Sequence, residues 1–257
     1  VAEERSCIIP SMKKVRTLRR RLFFDIETSP NIGVFFSAGY KLNIGYQSII
    51  KERAIICICY KWEGDSEVTS LEWDKDQCDK KMLEQFIKVA DTADEMVGHN
   101  GLKFDLNWIR TRCLFHKIDM FPNYTVIDTL TIARAKFRFN SNKLDYIAKF
   151  LGIGKKIKTD FDLWKDILLK KDKIAMAKMV KYCKGDVILL QKVYDRLKNH
   201  IIVKSHFGKV FHQDKGSCPE CGSDELNIKG YRYTAAGTKR VQYQCNICHK
   251  YHTKTEK

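Results

Sequence analysis

The stretch Leu22-Phe-Phe-Asp-Ile-Glu-Thr28 is the most informative part of this chain, because large apolar residues run directly into two acidic ones. Such a run predicts a buried β-strand that carries Asp25 and Glu27 at its end. Side chains two residues apart on a strand lie on one face, so both carboxylates enter one small volume. Two charges about 4 Å apart repel by roughly 4 kcal/mol at an effective dielectric of about 20. We therefore expect a counter-cation, and carboxylate oxygens favour Mg²⁺ or Mn²⁺.

The D-x-E pattern alone is weak, because the chain holds a second copy, Asp65-Ser66-Glu67. This copy falls in a polar turn, where both acids can face water. The apolar strand before Asp25 and Glu27 therefore selects the first copy.

The rest of the chain predicts a mixed α/β sheet with helices on its faces. Residues 30–50 show no clear period, and we interpret them as an insertion or long loop. Patterns of period 2 or 3.6 predict a hairpin over 54–62 and 66–73, a helix over 74–90, a short strand over 95–99, a helix over 103–115, and nearly continuous helix over 128–200 with breaks at 140–142, 152–154 and 171–172.

Two further segments offer acidic side chains to the same site. Asp105 ends Gly98-His-Asn-Gly-Leu-Lys-Phe-Asp, where a strand and a Gly turn lead into a helix. The alternative is an acid that merely stabilises a helix N-terminus. Tyr182 and Asp186 are four residues apart on a predicted helix, so the phenol and the carboxylate lie on one face. Tyr124 and Asp128 have the same spacing, but the β-branched residues between them favour an extended chain.

The order Asp25/Glu27, Asp105, Tyr182-x-x-x-Asp186 resembles the DEDDy branch of the DnaQ-like 3′–5′ exonucleases. The segments 98–105 and 144–155 are similar to the exonuclease domain of family-B DNA polymerases. The related branch would have His at position 181, where this chain has Lys. The resemblance covers roughly residues 19–200. It implies a ribonuclease-H-like fold, an α/β structure in which helices flank a mixed sheet.

The resemblance also implies a two-metal phosphodiester hydrolysis. Tyr182 would orient the attacking water, and Thr28 and Asn100 would touch the terminal nucleotide. The expected substrate is a single-stranded 3′ end, with DNA favoured, and the product is a nucleoside 5′-monophosphate. A 3′–5′ exoribonuclease and a non-catalytic nucleic-acid-binding adaptor are the alternatives. The residues implied to hold two Mg²⁺ or Mn²⁺ ions are Asp25, Glu27, Asp105 and Asp186.

The four cysteines Cys218, Cys221, Cys245 and Cys248 form two C-x-x-C pairs, a spacing that predicts one tetrahedral Zn²⁺ site. Alternating residues on both sides of a turn near Gly237 predict two strands, as in a zinc ribbon. Two disulfides or unrelated thiols are the alternatives. A module this small needs the metal to fold. It could hold the incoming strand, dock a protein partner or associate with a second copy.

The net charge of +16 favours a polyanionic partner such as nucleic acid, although a compositional bias is the alternative. A basic run from Arg134 to Lys158 could follow phosphates or form a solvated helix face. The sequence contains no run of about 18 apolar residues, so it predicts no membrane span. The irregular cysteines and the lack of a leader pattern indicate a cytoplasmic, non-secreted protein. We expect three segments: a basic extension over 1–18, an exonuclease domain over 19–205 and a four-cysteine zinc ribbon over 206–257.

Overall fold

The computed structural model describes residues 19–36, 39, 44–203, 205–210 and 214–255. The predicted N-terminal extension over 1–18 lies outside these residues. The described chain divides into two compact units: Arg20–Ile201, and Arg19 together with the residues from Ile202 onward. The domain boundaries inferred from the sequence remain a prediction. No helix in the described part of the chain is long and apolar enough to cross a membrane.

The larger unit is built on a five-stranded mixed sheet of order β5-β4-β1-β6-β7. Its central strand β1 pairs antiparallel with β4 and parallel with β6, which in turn is parallel to β7. The strands are β1 (Arg21–Thr28), β4 (Ile55–Trp62), β5 (Thr69–Glu72), β6 (Glu95–Gly98) and β7 (Val126–Asp128), and a separate two-stranded sheet holds β2 (Ile32–Gly33) and β3 (Ile49–Lys51).

Helices cover both faces of the sheet, as the sequence predicts. Because side chains alternate along β1, Phe23 packs in the core under α6, whereas Leu22, Phe24 and Ile26 pack under α1 and α2. Asp25 and Glu27 alternate in step with Phe23, so they face α6. The helices are α1 (Lys80–Ala90), α2 (Asp105–His116), α3 (Thr129–Lys136), α4 (Leu144–Phe150), α5 (Phe161–Lys170) and α6 (Lys173–Leu197).

Three local expectations require correction. Residues 74–79 form a turn instead of helix, because the Asp74 carboxylate accepts from the amides of Asp76 and Cys78. The predicted loop over 30–50 contains β2 and β3, although residues 37–38 and 40–43 lie outside the described part. The breaks at 140 and 152 widen to loops over 137–143 and 151–160, so the basic residues 155–158 do not lie on a helix.

The smaller unit carries a three-stranded antiparallel sheet of order β10-β9-β8, with β8 (Leu226–Tyr233), β9 (Lys239–Cys245) and β10 (Tyr251–Thr255), preceded by the short helix α7 (Phe207–Val210). The sequence analysis predicts two of these strands and not β10. Apart from thiols, its buried apolar side chains among the described residues are Phe207 and Val241. So small a core provides little hydrophobic stabilisation.

Candidate active site

Three carboxylates meet where the end of β1 faces α6. Asp25 and Glu27 point from β1, and Asp186 points from the middle of α6. One oxygen of each lies within 4.8 Å of the others. The predicted strand alternation and the predicted i,i+4 helix face thus bring Asp186 together with two acids that lie far away in the sequence.

Asp105 lies beside this group but not within it. Its Oδ1 accepts from the amide of Ile26 at 3.1 Å, which holds the carboxylate against β1. The turn before α2 brings it there: a Cβ on Gly98 would lie only 2.9 Å from the Gly101 Cα. The structure therefore gathers Asp25, Glu27 and Asp186 directly and places Asp105 as a neighbour.

Lys156 enters the site from the loop over 151–160. Its Nζ donates to Asp186 Oδ2 at 2.6 Å and to the Tyr182 hydroxyl at 3.4 Å. The loop packs closely on α6, since a Cβ on Gly185 would meet Ile157 Cδ1 at 3.3 Å. The sequence analysis included Lys156 only within a basic run. The one signal in the sequence that could have revealed this contact is the unusual Gly185 within a helix.

Asp186 keeps one buried oxygen without a partner. Its side chain is 2% exposed, Oδ2 is taken by Lys156, and Oδ1 has no hydrogen-bond partner among the described residues. An unpaired buried carboxylate oxygen costs free energy unless a cation or donor reaches it. The donor set is thus one of hard carboxylate oxygens with a free position, which fits Mg²⁺ or Mn²⁺.

Burial, with the charges of neighbouring acids, raises the pKa values of Asp25, Glu27 and Asp105. Burial, and then the neighbouring charges of Asp105, Glu27 and Asp186, hold the pKa of Asp25 well above its usual range. Burial and Asp186 raise the pKa of Glu27 to about 8, and burial raises the pKa of Asp105 to about 7. Burial disfavours the charged form of each acid, and the cation of Lys156 only partly offsets it.

We expect the metal-free protein to lose stability as the pH rises from about 4 to 8. A carboxyl whose pKa is higher in the folded than in the unfolded chain binds more protons when folded. The folded state therefore loses stability as the pH rises from the unfolded pKa to the folded pKa. Glu27, at about 8 against an ordinary 4.5, and Asp105, at about 7 against 3.8, set this window. Urea unfolding midpoints measured across the range test it.

Glu27→Gln is the matched control for this pH dependence. Burial lowers the pKa of His99, so this residue adds stability as the pH rises, and it does so in both wild type and variant. The difference between wild type and variant therefore reports Glu27 together with its effect on the pKa of Asp25, and parallel pH curves for the two would contradict the assignment. Added Mn²⁺ should flatten the wild-type curve, because a ligand of the folded state stabilises it.

The two residues expected to contact the substrate, Thr28 and Asn100, are held in place by hydrogen bonds. The Thr28 hydroxyl accepts from Arg53 at 2.7 Å, and its carbonyl accepts from the Trp164 indole at 3.1 Å. Asn100 has a left-handed φ of 69°, and its amide donates to Asp128 Oδ1 at 3.0 Å. Asp128 also caps α3, so its carboxylate oxygens accept from backbone amides, and it is not one of the three acids that meet. Their contact with a nucleotide remains a prediction.

The four ribbon cysteines converge on one point. Their Sγ atoms lie within 4.8 Å of one another, with Cys218 and Cys248 3.6 Å apart and Cys221 and Cys245 also 3.6 Å apart. A tetrahedral Zn²⁺ with bonds of about 2.3 Å separates its sulfurs by about 3.8 Å. The two pairs fold alike, because Gly222 and His249, each four residues after the first cysteine of its pair, adopt left-handed φ values of 78° and 59°. The cluster is compatible with a zinc ribbon.

Comparison with known proteins supports the fold. A family model described as "RNase_H superfamily" matches residues 22–198. The structure is similar to that of the family B DNA polymerase from the hyperthermophilic archaeon Pyrobaculum calidifontis, with a TM-score of 0.55 and 14% sequence identity. The match covers 85% of this chain and 31% of the polymerase chain. Among curated proteins, none matches the sequence.

Proposed function

This chain belongs to the RNase_H superfamily and has its fold, and we propose that it is a 3′–5′ exonuclease of the DEDDy type. Family membership supports a nuclease-type function that acts on nucleic acid. The proposal goes further: the enzyme removes nucleoside 5′-monophosphates from single-stranded 3′ ends, with DNA the favoured substrate. The observation that carries it is the meeting of Asp25, Glu27 and Asp186 within 4.8 Å, with Asp105 beside them.

These four carboxylates would hold two divalent ions. Two such ions, when bound, lower the pKa of a water molecule and stabilise the oxygen that leaves. The free Oδ1 of Asp186 supports this role, because it is a buried carboxylate oxygen that a cation could bind. Burial and the neighbouring acids raise the pKa values of Asp25 and Glu27, and bound cations would favour their charged forms.

Tyr182 and Lys156 would act on the water and the phosphate. The Tyr182 hydroxyl points into the acid site, where Lys156 lies 3.4 Å away. Burial and Asp186 raise the pKa of Tyr182 to about 12, so the phenol keeps its proton and can donate a hydrogen bond to orient water. The ion pair with Asp186 keeps Lys156 charged despite its burial, and a cation there favours the scissile phosphate.

The surroundings of the acids fit a nucleic-acid strand. A groove beside Lys156 is lined by Arg134 and Lys143, which could contact phosphates. A second groove next to Glu27 and Thr28 is lined by Arg53, Trp164 and Phe161, whose ring is 60% exposed and available for base stacking. The net charge of +16 adds a general attraction for polyanions.

We further propose that Cys218, Cys221, Cys245 and Cys248 bind one Zn²⁺, and that the ribbon holds the incoming strand. Lys239 stacks on the ring of Tyr231, and this exposed ring and its cation suit an ssDNA backbone and base. Alternatively, this surface could bind a protein partner or a second copy of the chain. The free thiols of the described residues fit the reducing cytoplasm, where we propose the enzyme acts.

A degradation time course tests the proposed reaction. Matched single-stranded and duplex DNA and RNA, labelled at the 5′ end, are incubated with Mn²⁺. We expect a ladder that shortens one nucleotide at a time from the 3′ end, fastest on single-stranded DNA, with released mononucleotides that carry a 5′-phosphate. Preference for RNA would correct the substrate, internal cuts would contradict exonuclease action, and binding without cleavage would indicate an adaptor.

Tyr182→Phe is expected to lower kcat by about tenfold to a hundredfold with little change in KM. Loss of the hydroxyl leaves the carboxylates in place but removes a group that orients water, and misplaced reactants cost rates of this order. Single-turnover cleavage at saturating Mn²⁺ measures the effect. Tyr146→Phe, at a ring on α4 that stacks on Phe150 away from the acids, is the control. Equal rates for Tyr182→Phe and wild type would remove the phenol from the reaction.

A further inference from the structure

Three buried cysteines lie against the acid site. Cys57 and Cys59 stand on β4 directly opposite Glu27 and Asp25 in the strand pairing, and Cys183 stands on α6. All three are free thiols with 0% exposure. Their sulfurs lie within 4.8 Å of one another. More than 120 residues separate β4 from Cys183, so the sequence spacing gives no sign of the cluster.

The three sulfurs have the geometry of a site for a thiophilic ion. Metal–sulfur bonds of about 2.3 Å place three sulfurs about 3.8–4.0 Å apart, so a contraction of less than about 1 Å closes the cluster on an ion. A fourth ligand is at hand, because Cys183 Sγ donates to Asp25 Oδ2 at 3.6 Å. Thiolates select Zn²⁺ and related soft ions over Mg²⁺ and Mn²⁺.

Core packing alone does not require this convergence. A buried cysteine commonly serves as a small apolar side chain, and Cys113 on α2, 1% exposed, is an example in this fold. Among the described residues, Cys113 belongs to no group of candidate ligands, whereas Cys57, Cys59 and Cys183 point their sulfurs at one another. Cys113 is therefore the matched control for a sulfur that only fills space.

We propose that Cys57, Cys59, Cys183 and the Asp25 carboxylate bind one thiophilic d10 ion of the Zn²⁺ or Cd²⁺ class. Binding breaks three S–H bonds, forms three metal–sulfur bonds and one metal–oxygen bond to the Asp25 carboxylate, and releases the three thiol protons to solvent. Asp25 faces both this cluster and the other acids, so an ion on the thiols draws its carboxylate away from the Mg²⁺ or Mn²⁺ site. An ion bound to the thiols therefore inhibits cleavage, a consequence that rests on the proposed nuclease function.

Cadmium NMR of the full chain tests the binding. Protein loaded with ¹¹³Cd²⁺ is expected to give two resonances, one from the four ribbon sulfurs and one shifted toward a ligand set of three sulfurs and one oxygen. Cys57→Ala and Cys59→Ala should each lose only the second resonance, and Cys113→Ala should keep both. Circular dichroism shows which variants fold. A single sulfur-shifted resonance in wild type, or two sulfur-shifted resonances in folded Cys57→Ala, would overturn the site.

Inhibition tests the competition for Asp25. Cleavage with Mn²⁺ is titrated with Cd²⁺, and each variant is compared with its own rate without Cd²⁺. We expect wild type and Cys113→Ala to be inhibited at Cd²⁺ concentrations about tenfold lower than Cys57→Ala, within the range of coupled sites. Equal sensitivity would overturn the competition. If wild type does not cleave at all, the proposed function and the competition both fail, while the resonances still decide the binding.

Discussion

Replacing Asp25 or Asp186 by alanine is expected to lower the cleavage rate by at least about a thousandfold, or roughly 4 kcal/mol of transition-state stabilisation. Each variant removes an oxygen ligand from the centre of the acid group. Asp65→Ala is the matched control, since it belongs to the second D-x-E, which lies exposed between β4 and β5. Single-turnover assays at saturating Mn²⁺ compare the three. Wild-type rates in Asp25→Ala would remove that residue from the site.

The two variants should differ in stability, which separates a catalytic effect from misfolding. Burial, and then the charges of Asp105, Glu27 and Asp186, raise the pKa of Asp25, so alanine removes a carboxyl whose ionised form is disfavoured in the metal-free protein. Asp186 pairs with Lys156 at 2.6 Å, and its removal leaves a partly buried cation without its carboxylate partner. We expect the Tm of metal-free Asp25→Ala to equal or exceed that of wild type, and the Tm of Asp186→Ala to fall.

Stripping zinc is expected to unfold the smaller unit and to leave Arg20–Ile201 folded. Structural zinc contributes about 10–16 kcal/mol of apparent free energy, which exceeds what a core of Phe207 and Val241 can replace. The larger unit has cores on both faces of its sheet and needs no zinc. Limited proteolysis and backbone NMR with a chelator, and the variant Cys245→Ser, measure this.

Two results would contradict the zinc assignment. If the residues from 214 onward stay protected from proteolysis in Cys245→Ser, the thiols are not structural ligands. Loss of structure in both units on chelation would mean that they do not fold separately. Cys113→Ser, at a buried thiol of the larger unit, controls for the substitution itself. Cleavage of short oligonucleotides should survive zinc removal, because the acids lie in the larger unit.

The parts of this molecule that follow a local period could be predicted from the sequence. The strand that carries Asp25 and Glu27, the helix face shared by Tyr182 and Asp186, and the two C-x-x-C pairs each depend on residues within four positions of one another. Geometry at that range is fixed by the strand or helix itself, so the side-chain directions follow directly. The RNase H-like sheet with flanking helices, which the family resemblance implies, is also confirmed.

Features that depend on distant packing could not be predicted. Lys156 reaches Asp186 because a loop without regular structure lies over Gly185, and no pattern specifies where such a loop packs. The Cys57–Cys59–Cys183 cluster depends on how β4 and α6 meet across the sheet. The helical spacing in the segment predicted as helix over 74–90 begins only at Met82, and the Asp74 carboxylate accepts from local amides and delays the helix.

Anomalous diffraction from crystals of the full chain, soaked in Mn²⁺ and recorded at the manganese edge, would locate the ions at the acid site. We predict two peaks about 3.5–4 Å apart, ligated by oxygens of Asp25, Glu27, Asp105 and Asp186. Well-ordered carboxylates with no manganese between them would contradict the two-metal site and leave a basic, zinc-compatible nucleic-acid binder.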